Sequence, residues 1–459
     1  MHAPSDRPTG VLRLLLVGAV TLISLGAFEN LAVTTMMPVV AAELDGLRLY
    51  ALAMGLPLAA HIAATAAAGL WIDARSLRGP LVWGVLLFAA GLIAAGAAQD
   101  MALVALGRGV SGLGTGLLTV TLYAAVGALV PAADRPRFFA AFSAAWVVPS
   151  LVGPPLAGYV AQYLTWRLVF LGVAPLALAS LLLLRPLLAA ADDAAASRER
   201  GAVRARARAT MVPAVVVAAA VAALQAAGAS AVAVSLVAVA AIVAFLPRLL
   251  PPGTLVLRRG IASVVATRLL VNGSVIAMES FLPLLLQRER GWEPGPAGVV
   301  LTVGAVTWAF GSWIQGRVVE PGLRHRTAIG GAILIAAGTA TSSLVVFEQV
   351  PAVLAIVGWV FAGLGMGVVF PSMAVLALAS TPASRHGEVS ASLQIADGVG
   401  AALALALVGA GFTALLGTGA NPYLPGFAAM VALALLAVVA TTRVPNLTGT
   451  ALPTGTPDR

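Results

Sequence analysis

The chain has 459 residues, 60% hydrophobic and only 10% charged, with a mean hydropathy of +0.99. A soluble domain carries about 25% charge, so this is the composition of a polytopic membrane protein. All 27 basic residues are arginine, and the absence of lysine excludes a nucleotide-binding P-loop and ATP-driven pumping by this chain alone. The absence of cysteine excludes disulfides, thiolate metal sites and a cysteine nucleophile. The net charge of +9 is expected to follow membrane sidedness, so nucleic acid is not expected as a partner.

Arg7 and Arg13 precede the first apolar run, as in a signal peptide. The run exceeds the usual length of about 7–15 residues and no small-residue cleavage site ends it, so it is expected to stay as a span. Apolar segments then fall at 14–41, 50–72, 80–98, 101–129, 138–163 and 168–184, at 211–228 and 230–246, and at 261–286, 297–316, 327–347, 352–378, 389–416 and 424–440. Six, two and six segments specify an all-α protein of two six-helix bundles with a two-helix insertion between them. The middle pair is short for two crossings, and one interfacial hairpin is the alternative there.

The first segment contains a single acid, Glu29, inside an otherwise apolar stretch from Thr21 to Ala42. A charge at that depth costs at least about 2.5–3.5 kcal/mol, so a use is expected for it. Either it titrates or attracts a cation, or it pairs with a neighbouring helix. Asn30 and Thr34 add polar groups beside it. With the N-terminus cytoplasmic, arginines concentrate on the inner side, including the run Arg198, Arg200, Arg204, Arg206 and Arg208. That matches the positive-inside rule and places both termini in the cytoplasm. Four parts are expected: 1–186 and 261–445 as the two bundles, 187–260 as a cytoplasmic linker with the insertion, and 446–459 as a disordered tail.

The two halves resemble each other. Ala27-Phe28-Glu29-Asn30 parallels Ala277-Met278-Glu279-Ser280 at an offset of 250, and Gly112-Leu113-Gly114-Thr115-Gly116 parallels Gly363-Leu364-Gly365-Met366-Gly367 at 251. Ser143-Ala144 and Gly153 parallel Ser390-Ala391 and Gly400 at 247. Near-constant offsets across three helices specify a duplicated six-helix unit with the middle pair inserted. Parallel repeats about the membrane normal place a shared cavity between the halves.

Five stretches also carry a family resemblance. They are Glu29 to Pro38, Gly69-Leu70-Trp71-Ile72-Asp73 through Arg78, Arg108-Gly109-Val110-Ser111-Gly112, Pro149 with Gly153-Pro154-Pro155-Leu156-Ala157-Gly158, and Trp166-Arg167-Leu168-Val169-Phe170. Together they resemble the major facilitator superfamily, and within it the drug:proton antiporters of the fourteen-span type, over nearly the whole length. The first stretch resembles that group's LDxTxxNxALP pattern with Glu for Asp. The second resembles the cytoplasmic GxLaDrxGrk gate loop in part, with Gly69, Asp73 and Arg78 at matching positions and Ser76 and Leu77 departing from it, and anchoring of the topology alone is its alternative role. The second half has Gln315 where the acid would stand. Arg108 stands at the Arg of the RxxqG pattern, which the resemblance links to proton transfer, so Arg108 would sense Glu29; a side chain snorkelling to the interface is its alternative role. Its repeat partner is Trp359. Pro149, Gly153, Pro154 and Gly158 resemble the GPxxGG antiporter helix, whose prolines remove backbone donors and kink it. The last stretch resembles the WRxxF of the same exporters, and an anchor at the outer interface is its alternative role.

Other polar residues stand inside apolar runs. Asn272 and Glu279, seven residues apart, share a helix face. Asp397 follows Gln394 by three. Glu279 and Asp397 are candidates, with Glu29 and Arg108, for proton coupling or cation attraction. Asn30, Thr34, His61, Tyr123, Trp146, Asn272 and Gln394 are candidate cavity residues, with hydrogen-bonded structure or packing as the alternative for His61 and the aromatics. The four histidines are scattered, so no metal and no cofactor is expected. The expected function is proton-coupled efflux of hydrophobic, cationic or neutral small molecules by a non-enzymatic monomer in the cell membrane. The alternatives are a dedicated exporter of an endogenous metabolite or lipid on the same fold, and a transport-silent receptor or scaffold.

Overall fold

Backbone groups in hydrocarbon have no water to bond, so apolar runs of this length must close their hydrogen bonds within helices. The computed structural model describes residues 9–74, 77–131, 134–195, 201–227, 232–318, 320–382 and 386–446, and no strand occurs among them. The helices are α1 Thr9–Glu43, α2 Tyr50–Ala74, α3 Arg78–Gly96, α4 Met101–Leu129, α5 Arg135–Ala144, α6 Val147–Tyr163, α7 Arg167–Ala195, α8 Gly201–Ala227 and α9 Val232–Leu249. The second half supplies α10 Ile261–Arg288, α11 Pro294–Gly316, α12 Pro321–Ser343, α13 Leu354–Ala379, α14 His386–Leu415 and α15 Leu424–Thr442.

Eleven of these are long and apolar enough to cross a membrane. The apolar parts of α8 and α9, Met211–Ala226 and Ala233–Leu249, are shorter, as the sequence suggested. Two local differences have physical reasons. Residues 187–195 extend α7 and 201–210 open α8, where the composition suggested an irregular linker; alanine and arginine are both strong helix formers. The segment read as 138–163 is broken at 145–146 into α5 and α6. Pro149 lacks the N–H that would bond the Ala145 carbonyl, and the Ser24 hydroxyl of α1 donates to that carbonyl instead, at 2.9 Å. Pro155 likewise frees the Leu151 carbonyl, which accepts from the Thr302 hydroxyl of α11 at 3.4 Å.

The repeat is written into the packing. Between membrane helices apolar burial gives little drive, and small residues that let backbones approach take over. A Cβ at Gly91 or Gly107 would strike the facing backbone across the α3–α4 contact, and Gly338 and Gly358 do the same across α12–α13. Gly112 lies against the Pro57 carbonyl and Gly363 against that of Gly304, while Gly116 lies on His61 and Gly367 on Trp308. Every one of these pairs recurs at the offsets of 247 and 251 seen in the sequence. The architecture is therefore two six-helix bundles related by pseudo-twofold symmetry.

The halves meet along two antiparallel seams. In the first, α6 runs against α11, with Gly158 on Pro294 and Gly295 and with Gly298 on Pro154. In the second, α2 runs against α14, with Ala51 on Gly409 and Ile62 on Gly398. Both seams lie toward the end of the bundle where α1 finishes and α2 begins. The Tyr50 hydroxyl donates to the Ser280 carbonyl at 2.7 Å at that end, and the Gln287 amide donates to the Thr35 carbonyl at 3.0 Å. Rings of Tyr50, Phe281, Phe412 and Tyr423 stack edge to face behind them. Past Leu151 and Thr302, toward the other end, Trp146, Val147, Val148, Val306 and Phe310 are exposed.

Candidate functional site

Glu29 stands in α1 and is 6% exposed. The nearest cation is Arg108 of α4, 2% exposed, with Nη2 3.7 Å from the Glu29 Oε1. That distance allows attraction between charges but is too long for a hydrogen bond. Glu29 Oε1 and Arg108 Nε both lack hydrogen-bond partners among the described residues, and Arg108 Nη1 approaches only the sulfur of Met54, at 3.8 Å. The expected link between Glu29 and Arg108 is thus present as a contact. It is held by charge and left unsaturated.

In the second half the repeat partner of Arg108 is Trp359, a buried packing residue. Glu279 accordingly forms no ion pair or hydrogen bond among the described residues, and it is half-buried. The two acids share a depth. Taking the Gln287–Thr35 bond as a common level, Glu29 lies six residues and Glu279 eight residues before it, about 9 and 12 Å at 1.5 Å per residue.

A second ion pair has no counterpart in the first half. Arg268 of α10 forks onto Asp397 of α14, with Nε 2.8 Å from Oδ1 and Nη2 on Oδ2. Its guanidinium lies 3.8 Å from the centroid of the Phe370 ring, and Phe370 in turn tilts against Trp308 with centroids 5.3 Å apart. Asn272 Nδ2 donates to the Asp397 carbonyl at 2.7 Å. Asn272 therefore serves the Asp397 backbone, and no hydrogen bond joins it to Glu279 among the described residues.

The remaining sequence candidates separate. His61 Nδ1 lies 3.2 Å from the Thr115 hydroxyl, linking α2 to α4. Thr34 is buried and its hydroxyl bonds back to the Asn30 carbonyl, while Asn30 and Gln394 are exposed. Tyr123 is exposed and meets the Phe142 ring edge to face; Trp146, also exposed, precedes the first turn of α6. Gly153 receives the Phe28 ring at what would be its Cβ, and Pro149, Pro154 and Gly158 shape α6 as described above. Gly69 has open space at its Cβ and Arg78 opens α3 as an exposed residue. Asp73 falls in the last turn of α2, with its side chain outside the described residues. Trp166 and Arg167 both bond Glu43 at the end of α1, through Nε1 at 2.8 Å and Nη1 at 2.6 Å. Among the described residues no group of histidines and acids could hold a metal. The role of Arg268 as the partner of Asp397 escaped the sequence, where 129 positions separate the two.

A family profile described as the Major Facilitator Superfamily matches residues 15–405. The chain belongs to that superfamily. Its curated relatives include a protein named a probable multidrug-efflux transporter of Mycobacterium tuberculosis, 30% identical over 38% of this chain and 36% of that protein. Another is the multidrug transporter protein MdtP of Bacillus subtilis, 27% identical over 34% of this chain and 29% of that protein. A third is an MFS-type transporter of an acurin A biosynthesis cluster in Aspergillus aculeatus, 29% identical over 38% and 31%. The matches thus span about a third of the length of these relatives. Among solved structures, a peptide transporter POT superposes with a TM-score of 0.67, covering 96% of both chains at 17% identity. A D-xylose-proton symporter superposes at 0.64, covering 96% of this chain and 98% of its own at 16% identity. At those identities the likeness is one of fold. The superfamily and the fold are those of transporters, and the chain is a multi-pass membrane protein.

Proposed function

We propose that this protein is a proton-driven efflux transporter of hydrophobic, cationic or neutral small molecules, working by alternating access. In this reading residues 1–186 and 261–445 are the two rocking halves and fourteen helical segments cross the cell membrane. Both termini lie in the cytoplasm, where the arginine bias puts them. The two closed seams then seal the outer side, and exposed Trp146, Val148 and Phe310 flank an opening to the inner side.

The observation that carries the reading is the unsaturated pair of Glu29 and Arg108. A carboxylate that accepts two good bonds from a fixed arginine has no reason to exchange protons, whereas one held at 3.7 Å with a free oxygen can take a proton and release the cation. Glu279, at a similar depth and with no ion pair or hydrogen bond among the described residues, supplies the charge that a cationic substrate would meet. Two relatives with multidrug names support an exporter of broad range. The relative from a biosynthetic cluster favours the second reading, a dedicated exporter of one endogenous metabolite. Efflux of several unrelated lipophilic dyes from cells, with and without a protonophore, separates them. Broad, protonophore-sensitive efflux is expected; efflux of none of the dyes contradicts the first reading.

A further inference from the structure

The α8–α9 hairpin is the part of the chain without a repeat counterpart, and it breaks the symmetry of the two seams. α8 packs far more extensively on α2 than on α14. Near its end, Gln225 enters the α2–α14 seam between the Ala51–Gly409 and Ile62–Gly398 contacts. Its amide nitrogen donates to the Ala402 carbonyl of α14 at 3.0 Å. The same amide occupies the space that a side chain at Gly55 of α2 would fill, so Gly55 is the notch that admits it. Gln225 is 7% exposed, yet its Oε1 has no partner among the described residues.

We propose that Gln225 is a releasable latch: α8 travels with α2, and the bond from Gln225 to Ala402 breaks each time this seam opens. The proposal rests on the alternating-access reading above. Three features fit a bond meant to be broken. Ala402 lies inside α14, where its carbonyl also serves the helix, so release does not orphan it. The half-satisfied amide gives the closed state less than a fully paired one would. The notch at Gly55 keeps the amide against the first half when the second moves away. The α2–α14 seam is held by this latch and the α6–α11 seam by the Thr302 hydroxyl on the Leu151 carbonyl, so the two seams are held differently although the symmetry relates them.

The chain lacks cysteine, so introduced pairs are its only thiols. The full-length protein carrying Gln225→Cys with either Gly55→Cys or Ala402→Cys is reconstituted in liposomes and bridged with a short thiol-specific cross-linker. Bridging 225 to 402 is expected to cut dye flux at least tenfold, with recovery on reduction, while bridging 225 to 55 leaves flux within twofold. Full flux through the 225–402 bridge, or loss of flux through the 225–55 bridge, overturns the latch. Absence of flux in the unsubstituted protein overturns the efflux reading instead, so a readout independent of transport is included. Spin labels at exposed positions, through Arg48→Cys and Ala420→Cys, report the separation of the two halves at the sealed end. Adding Gln225→Leu is expected to raise the long-distance population about fivefold, the worth of one hydrogen bond. An unchanged distance distribution overturns the proposal.

Discussion

Asp397→Leu isolates the energetics of the second-half ion pair. Arg268 is 9% exposed, so removing the carboxylate leaves a buried cation without its counter-ion. Breaking a buried pair from one side costs about 3–5 kcal/mol. Part of that is offset here, because the guanidinium keeps the face of Phe370 at 3.8 Å, worth about 1–2 kcal/mol when desolvated, and a bond of 3.4 Å to the Phe370 carbonyl. The net loss expected is about 2–3 kcal/mol. Arg268→Met strands the carboxylate, which has no ring to lean on, and should cost more. The double variant Arg268→Met/Asp397→Leu removes both charges and replaces them with apolar groups of similar size, which is expected to restore stability to within about 1 kcal/mol of wild type. The assay is denaturant unfolding of the detergent-purified protein followed by tryptophan fluorescence, read as a double-mutant cycle. Strictly additive single effects, with the double variant the least stable of the three, would refute the view that the pair's cost is that of stranding a charge.

Two further outcomes follow from the α6 geometry. Ser24→Ala removes the donor that satisfies the carbonyl freed by Pro149 and is expected to cost about 1 kcal/mol; adding Pro149→Ala returns a backbone N–H and should recover most of it in the same unfolding assay. Gly158→Val places a branched side chain against the Pro294 carbonyl and Gly295, overpacking the first seam by about 1–3 kcal/mol. That is expected to favour separation at the sealed end, seen as faster labelling of a cysteine introduced at Gly295, and unchanged labelling would count against the seam assignment.

The helices, their duplication and the acid positions were legible because each leaves a local mark. Apolar runs have a length, repeated glycines recur at fixed offsets, and a carboxylate stands out in a stretch such as 21–42. The break before Pro149 was legible as a kink, since the missing N–H is a property of that residue alone. What satisfies the freed carbonyl was not, because Ser24 is one hydroxyl among many and lies 121 positions away. Pairing of Arg268 with Asp397 was hidden for the same reason, as separation along the chain carries no information about which α10 and α14 faces meet. Gln225 left no signal whatever. An amide in an alanine-rich helix reads as filler until α2 and α14 are seen to part around it.

Everything in the transport account passes through the carboxylate of Glu29 and its incomplete contact with Arg108. Purified wild-type protein in liposomes is predicted to move a lipophilic cationic dye against its gradient when a pH difference is imposed. Glu29→Gln, inserted in equal amount and equally folded, is predicted to lose that coupled flux. Wild-type rates from the Glu29→Gln liposomes under the same pH difference would contradict the account.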